Sequence, residues 1–231
     1  MIRHGIFLER PNRFVAKVRL EDGSERLVHV ASSGRMVELL VPGAPVIVTG
    51  EGKPGQKTAG LLAMVRQGNA WVSVDTAMPG KVLKTALLAR QVEPFAAYTT
   101  VRPEFTYGQS RIDFLLTGEG QLPCLLEVKS VTLLVTDPDG ARVGRFPDAP
   151  TARGTKHLHE LAAARSEGYR TAVCFLVQRD DAEAFGPHDA VDPTFGAALR
   201  AVAQLGVEVY AWSMQILPNK IALEKMLPLR F

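Results

Sequence analysis

Residues 110–134 read SRIDFLLTGEGQLPCLLEVKSVTLL, and this stretch decides the fold. It contains two apolar runs that predict consecutive β-strands. Each run also carries a carboxylate, Asp113 in the first and Glu127 in the second, at positions from which a buried strand normally excludes charge. Lys129 follows Glu127 by two residues, so both side chains point to the same face of their strand. The sequence therefore predicts that Asp113, Glu127 and Lys129 converge on one spot.

A divalent cation would compensate these buried carboxylates, because their oxygens are the hard ligands that Mg²⁺ and Mn²⁺ prefer. The pattern resembles the PD-(D/E)xK nuclease core, in which a strand hairpin carries Asp and then Glu-x-Lys around a metal that activates water, although Ile112 stands where that core has proline. The resemblance implies that Asp113 and Glu127 hold the metal, with the carbonyl of Val128 nearby and Lys129 orienting a water. The alternative is an exposed Glu-Lys ion pair at a strand end, since a bare Glu-x-Lys is a common pattern.

Five longer segments resemble one family across nearly the whole chain. They are, in order, FLERPNRFVAKV (7–18), SRIDFLL (110–116), LEVKSVTL (126–133), FPDAPTARGTKHLHEL (146–161) and VDPTFGAAL (191–199). Together they resemble the sugar fermentation stimulation protein family, SfsA. Two departures are visible, because Ser32-Ser33-Gly34 stands where the family has Asn-Thr-Gly, and Pro79-Gly80 stands where it has Pro-Asn.

The SfsA resemblance implies a DNA-binding protein without sequence specificity that affects maltose and related sugar metabolism. It also implies an α+β or α/β architecture, in which an N-terminal OB-like β-barrel is followed by a restriction-endonuclease-like α/β/α domain of the PD-(D/E)xK type. The resemblance does not decide whether the protein cuts nucleic acid.

Turn signals divide the chain in the same way. Residues 14–75 contain five short strand-like runs, which favour a small OB-like barrel, with an SH3-like barrel as the alternative. The tripeptide Met78-Pro79-Gly80 interrupts this pattern, so residues 1–80 and 81–231 are predicted to be two domains. For the second domain the sequence predicts helices near 82–91, 154–167 and 193–205, hairpin strands over 99–134 followed by a loop, and strands at 170–178 and 207–212.

Charge and composition limit the class of protein. Residues 1–81 carry eleven Lys and Arg against seven Asp and Glu, whereas residues 82–231 carry sixteen against seventeen. A basic N-terminal part suits phosphate binding, although ordinary scatter of surface charge is the alternative. Cys124 and Cys174 lie in apolar runs and are predicted to be buried free thiols, as in a reducing cytoplasm. With no signal peptide and no run near the roughly twenty apolar residues that span a bilayer, we expect a cytoplasmic protein with no membrane partner.

Three further residues are candidates near the predicted carboxylate site. Glu104 precedes Asp113 by one strand and is either a third catalytic acid or a surface carboxylate. Arg153 and Lys156 lie in the opening turns of a predicted helix, whose free N–H groups suit a phosphate. The alternative for Lys156 is a simple pair with Glu160, four residues on.

Arg10, Arg13 and Arg35 are the candidate nucleic-acid-binding residues of the predicted barrel. They lie near strand or turn ends, and barrels of this type bind nucleic acid through a basic groove and stacking rings. The aromatic residues Phe7, Phe14 and Trp71 are available for stacking, but such rings more often form the core.

The sequence thus favours a DNA-binding protein of low sequence preference with a Mg²⁺ or Mn²⁺ site. An active metal-dependent phosphodiesterase acting on DNA or RNA, and a regulator that keeps a nuclease scaffold purely for binding, are the alternatives. Zinc-ligand spacing, a Walker loop and a Gly-x-Ser-x-Gly elbow are all missing from the sequence. A sugar-sensing module finds no supporting residue pattern.

Overall fold

The computed structural model of the chain describes residues 1–32, 34–52, 55 and 57–231. Ser33, part of the first departure from the family pattern, lies outside these residues. An N-terminal barrel comes first, with strands β1 (Ile2–Asn12), β2 (Val15–Leu20), β3 (Glu25–His29), β4 (Pro45–Thr49), β5 (Leu61–Gln67) and β6 (Ala70–Ser73). These strands form a sheet in the order β3-β2-β1-β4-β5-β6, and a further β3–β5 pairing partly closes it into a barrel.

The sequence prediction omits β1, and in this it is wrong. This strand lies in the middle of the sheet, antiparallel to both β2 and β4. Phe7 is its one buried residue, while the other ten are exposed or half-buried. Because a single core residue among charged neighbours gives little alternation of apolar and polar side chains, the strand has a weak sequence signal.

An α/β part follows the barrel and is built on a six-stranded mixed sheet. Its elements are α1 (Met78–Leu88), a 3₁₀ turn (Glu93–Phe95), β7 (Thr100–Tyr107), β8 (Ser110–Thr117), β9 (Cys124–Val131), β10 (Leu134–Thr136), β11 (Arg142–Phe146), α2 (Ala152–Ser166), β12 (Arg170–Val177), β13 (Ala184–Pro187), α3 (Pro193–Gln204), β14 (Glu208–Leu217) and β15 (Lys220–Met226). The main sheet has the order β15-β14-β12-β9-β8-β7, and β12 runs parallel to both β9 and β14. A small second sheet contains β10, β11 and β13.

Helices cover the two faces of the main sheet, so the α/β part has three layers. On one face, α1 packs Leu83 and Leu87 into a core that includes Leu126 of β9. On the other face, α2 and α3 pack against a second core that includes Leu125 of β9. Barrel residues such as Ile47 belong to the first core, which joins the barrel to the α/β part. The alternation along β9 therefore places its even-numbered residues toward α1 and its odd-numbered residues toward α2.

The prediction for this part differs from the structure in several places, and it omits strands β13 and β15. The stretch after β9, predicted as a loop, contains β10 and β11, which are short and interrupted by Gly140 and charged residues. The first helix begins at Met78 and not near residue 82. Pro79 was taken as a break, but it occupies the first turn of α1, where its missing N–H has no helical partner to lose.

The two cysteines are buried free thiols, as predicted. Burial raises the pKa of the Cys124 thiol to about 12, which makes it a poor nucleophile. Among the described residues, no helix combines the length and the apolar character needed to cross a membrane.

Candidate metal and phosphodiester site

The site begins where β8 and β9 separate. Their antiparallel ladder pairs Leu116 with Cys124 and ends with Phe114 opposite Leu126. Beyond this pair the two backbones no longer bond to each other. Instead, the Oδ2 atom of Asp113, the next residue along β8, accepts a hydrogen bond from the N–H of Val128 at 2.7 Å. The divergence therefore opens a gap between the strands and fixes a carboxylate inside it.

Glu127 lies one residue away from that contact and is held from the α2 side of the sheet. Only 3% of Glu127 is exposed. Its Oε1 accepts a hydrogen bond from Lys129 Nζ at 2.7 Å and lies 2.5 Å from His157 Nδ1. Arg153 Nε donates a hydrogen bond to His157 Nε2 at 3.4 Å. In the tautomer that fits this contact, Nε2 is the acceptor and the N–H of Nδ1 donates a hydrogen bond to Glu127. The structure thus joins Lys129 to Glu127 and holds Asp113 against the backbone of Val128, between these two residues, while the convergence of all three side chains on one ion stays a prediction.

The two carboxyl groups of the site have opposite electrostatic settings. Burial, and after it the charge of Glu127, raises the pKa of Asp113 to about 6. Burial also acts to raise the pKa of Glu127, but hydrogen bonds from His157 and Lys129 outweigh it and leave that pKa below its ordinary value. The surroundings therefore favour the ionised form of Glu127 and oppose that of Asp113.

A divalent cation fits this arrangement. The Oε2 atom of Glu127 is buried and has no hydrogen-bond partner among the described residues. The C=O of Val128 points to the same side of β9 as its N–H, and therefore toward Asp113, beyond the end of the β8 ladder. Within the described part of the chain, no three His, Cys, Asp or Glu side chains form a ready metal cluster. Two carboxylates with several retained waters are a ligand set typical of Mg²⁺.

A cleft of about 410 Å³ opens at Asp113, and it is lined by α1, by the segment that leads into α1 and by strands β7, β8 and β9. Lys81 and Lys84 of α1 line it, and neither lysine forms an ion pair with a carboxylate of the described residues. Sequence reasoning missed both lysines, because α1 was predicted to begin after Lys81. Two such lysines beside a cleft that also contains carboxylates are groups that would attract the phosphates of a phosphodiester backbone.

Glu104 also lines this cleft and lies opposite Asp113 in the β7–β8 hairpin. The ladder passes from Pro103–Phe114 to Phe105–Ile112 without a change of register, so Glu104 and Asp113 face each other but are not a paired position. Its φ is +54°, a left-handed conformation that costs a non-glycine residue on the order of 1 kcal/mol. Glu104 is exposed and lies 3.5 Å from Arg111. The sequence predicts a third acid near Asp113, and Glu104 lies in the lining of the same cleft.

The predicted phosphate-binding residues of α2 lie outside this cleft lining. Lys156 is exposed and lies 3.6 Å from Glu160, the pairing that the sequence left open as an alternative. Arg153 is exposed and contacts His157. The first turn of α2 is capped by Thr151, whose Oγ1 accepts from the N–H of Gly154 at 3.0 Å.

The three predicted arginines of the barrel have different surroundings. The guanidinium of Arg10 donates to four backbone carbonyls, of Arg13, Ser32, Gly34 and Arg35, at 2.6 to 3.0 Å. Arg10 therefore fixes the loop around residue 34, and these donors are not free for a phosphate. Arg13 and Arg35 are exposed, and Arg13 lies over the exposed ring of Phe14 at 5.5 Å.

His157 is the main site residue that sequence reasoning missed. The histidines of α2 were considered only as zinc ligands, a role their spacing does not suit. The signal that could have found His157 is its position in the buried stripe of α2, next to Leu158 and three residues after Gly154. A histidine in an apolar stripe needs a polar partner, and the carboxylate of Glu127 on β9 supplies it.

Two family models match the chain, the SfsA N-terminal OB domain over residues 8–74 and the sugar fermentation stimulation protein RE domain over residues 77–220. The chain belongs to the SfsA family. A sugar fermentation stimulation protein homolog from Symbiobacterium thermophilum is 63% identical over 233 residues, covering 97% of this chain and 93% of that protein. A homolog from Moorella thermoacetica is 42% identical over 218 residues, covering 94% of this chain and 91% of that protein.

A solved structure supports the same fold. Pyrococcus furiosus SfsA in complex with Ca²⁺ matches with a TM-score of 0.89 and 24% sequence identity, covering 100% of this chain and 96% of that one. The predictions of family and fold class are thus confirmed, with an OB barrel followed by a nuclease-like α/β/α part. The metal, the nucleic-acid partner and the residue roles stay predictions.

Proposed function

We propose that this SfsA-family protein binds the phosphodiester backbone of DNA in the cleft at Asp113 and hydrolyses it with a Mg²⁺ or Mn²⁺ ion held by Asp113 and Glu127. The observation that carries the proposal is the buried pair of carboxylates, Asp113 and Glu127. Asp113 has a pKa raised by burial and by Glu127, and the Oε2 atom of Glu127 is buried without a partner. A cation between the two groups would stabilise the ionised form of Asp113 and give the Oε2 atom of Glu127 a partner. That a relative was solved in complex with Ca²⁺ agrees with divalent-ion binding.

Each side chain has a distinct role in this proposal. His157 and Lys129 hold Oε1 of Glu127, which leaves Oε2 to the ion. The ion, when bound, supplies a lowered pKa for an attacking water and positive charge at the phosphate. One N–H of the Lys129 ammonium group donates to Glu127, and another N–H orients that water. Glu104, which lines the cleft, would hold a second water.

In this proposal the phosphodiester backbone of DNA binds to lysine and arginine side chains around the cleft and on the barrel. Lys81 and Lys84 contact the phosphate next to the scissile one, and Arg13 and Arg35 extend the track over the barrel. Arg153 and Lys156 add positive charge at the start of α2. Contacts to phosphates carry no base information, which gives low sequence preference. We place the effect on sugar metabolism, which the family resemblance implies, downstream of this binding.

Plasmid nicking tests the proposal. Purified protein is incubated with supercoiled plasmid in Mg²⁺, Mn²⁺ or EDTA, and the loss of supercoiled DNA is followed on a gel. We expect metal-dependent nicking that falls at least a hundred-fold in Asp113→Asn and Lys129→Ala, because each change removes a group at the reacting phosphate. Lys220→Ala, an exposed lysine at the far end of β15, is the matched control and keeps full activity.

Two results would count against hydrolysis. Nicking that persists in Asp113→Asn would show that the activity comes from elsewhere. Plasmid binding without nicking, in every metal, would favour the regulator that keeps a nuclease scaffold purely for binding.

A further inference from the structure

A second, smaller pocket adjoins the carboxylate cleft and is not used by the proposed hydrolysis. Its volume is about 220 Å³, several times the roughly 30 Å³ share of one water molecule. Thr76 and Ser130 line both the pocket and the cleft, so the two spaces are neighbours. At one end, Gly34 of the barrel lies directly against Asp148 of the α/β part, which closes the pocket there.

Gln178 gives this pocket its chemical character. The residue follows β12 at the carboxyl end of the central parallel strands and is 0% exposed. Its Nε2 donates to Ser130 Oγ at 2.7 Å, while its Oε1 has no hydrogen-bond partner among the described residues. Rotating the amide by 180° would only exchange the two ends, so one polar end of Gln178 lacks a partner in either orientation. A buried acceptor without a donor is destabilising, and a hydrogen-bond donor on a ligand would remove that penalty.

The remaining walls decide which kind of ligand fits. Asp148 places a second acceptor in the pocket, and its charge opposes an anion such as a phosphate. Arg145 also lines the pocket, but its guanidinium donates to the carboxylate of Asp137 and to the carbonyl of Pro187, so its charge is already compensated. The Ser130 hydroxyl accepts from Gln178 and still has its own proton to donate. Phe146 adds an apolar wall, with its ring held at 5.0 Å from that of Phe195. A pocket with hydrogen-bond acceptors, one donor and an apolar wall suits a nucleobase better than the sugar-phosphate backbone.

We infer that this pocket receives the Watson–Crick edge of one unpaired nucleobase, next to the phosphate held in the carboxylate cleft, so that the protein acts on unpaired strands. The inference rests on the proposed function and adds to it the substrate class. With Nε2 occupied by Ser130, Gln178 offers a single acceptor and cannot make the bidentate contact that singles out adenine. Every base carries at least one N–H on this edge. The pocket therefore requires an unpaired base without selecting which one.

Binding measured in EDTA, where nothing is cut, tests the inference. Fluorescence anisotropy at one fixed salt concentration compares a labelled oligothymidine strand with the same strand annealed to its complement. A third strand carries N3-methylthymine at every position and so lacks the one N–H of the thymine edge. We expect the plain strand to bind about ten-fold more tightly than either the duplex or the methylated strand, the equivalent of one hydrogen bond to a buried acceptor.

Gln178→Met tests the residue itself, because it keeps the side-chain length and removes the acceptor. In this variant the plain and methylated strands should bind equally, since the two changes remove the same contact. Gln121→Met, at an exposed turn after β8, is the matched control and keeps the ten-fold difference. Thermal unfolding checks that both variants fold. If Gln178→Met does not fold, the methylated strand decides the question with the unchanged protein.

The outcomes separate this inference from the proposed function. Equal binding of plain strand, methylated strand and duplex overturns the base pocket and leaves backbone binding in place. The absence of binding to all three overturns both. A difference between plain and methylated strands that persists in Gln178→Met places the base elsewhere and also overturns the inference.

Discussion

Asp113→Asn should stabilise the metal-free protein, although it removes a proposed metal ligand. The pKa of Asp113 is raised from 3.8 to about 6, so the folded state holds this proton more tightly than the unfolded state does. Stability is therefore lost as the pH rises from 4 toward 6, and the loss is complete above that range. A shift of this size corresponds to about 3 kcal/mol. Asparagine carries no charge to bury, and its amide oxygen can still accept the hydrogen bond from Val128.

Urea unfolding in EDTA at several pH values measures this effect. At pH 8 we expect Asp113→Asn to exceed the unchanged protein in unfolding free energy by up to about 3 kcal/mol, and at pH 4 the two should be equal. Saturating Mn²⁺ should reverse the order at pH 8, because only the unchanged protein gains from binding the ion. A variant that is less stable than the unchanged protein at pH 8 in EDTA would refute the reasoning, since Asp113 would then be stabilised by its surroundings.

Three further substitutions test the supporting contacts. Glu104→Gly should match or exceed the stability of the unchanged protein by up to about 1 kcal/mol in thermal unfolding, because glycine adopts φ +54° freely, while its nicking rate falls. A clear loss of stability would contradict the assigned cost of the left-handed conformation. His157→Ala should lower the unfolding free energy by about 2–4 kcal/mol and weaken Mn²⁺ binding. His157→Asn should recover part of the stability and part of the Mn²⁺ affinity, because the asparagine amide can donate to Glu127 in place of Nδ1. Equal losses in the two variants would show that His157 acts only through packing. Arg10→Ala should destabilise the barrel by about 2 kcal/mol in urea unfolding, whereas Arg13→Ala should leave stability unchanged and weaken DNA binding; the reverse pattern would contradict these assignments.

The α/β part was largely predictable because its strands carry strong local signals. The β8 and β9 runs are nearly continuous apolar stretches, as expected for strands buried on both faces. The strand β1 was missed because its place in the sheet comes from pairing with β2 and β4 and not from its own pattern. Tertiary pairing overrides a weak local preference in such strands.

The carboxylates of the site were predictable, but their surroundings were not. Asp113 and Glu127 stood out as charges within apolar runs, a signal visible in the sequence alone. That His157 holds Glu127 depends on how α2 packs across the sheet, thirty residues later in the chain. The proximity of Gln178 to Ser130 depends on the parallel pairing of β9 with β12. Such contacts are set by topology, which a single sequence does not display.

Calorimetric titration of Mn²⁺ tests the central claim most directly. With the unchanged protein we predict an ion that binds between Asp113 and Glu127, and this binding should be lost in both Asp113→Asn and Glu127→Gln. Isotherms that are the same in all three proteins would contradict the account, because the ion would then bind away from the two carboxylates.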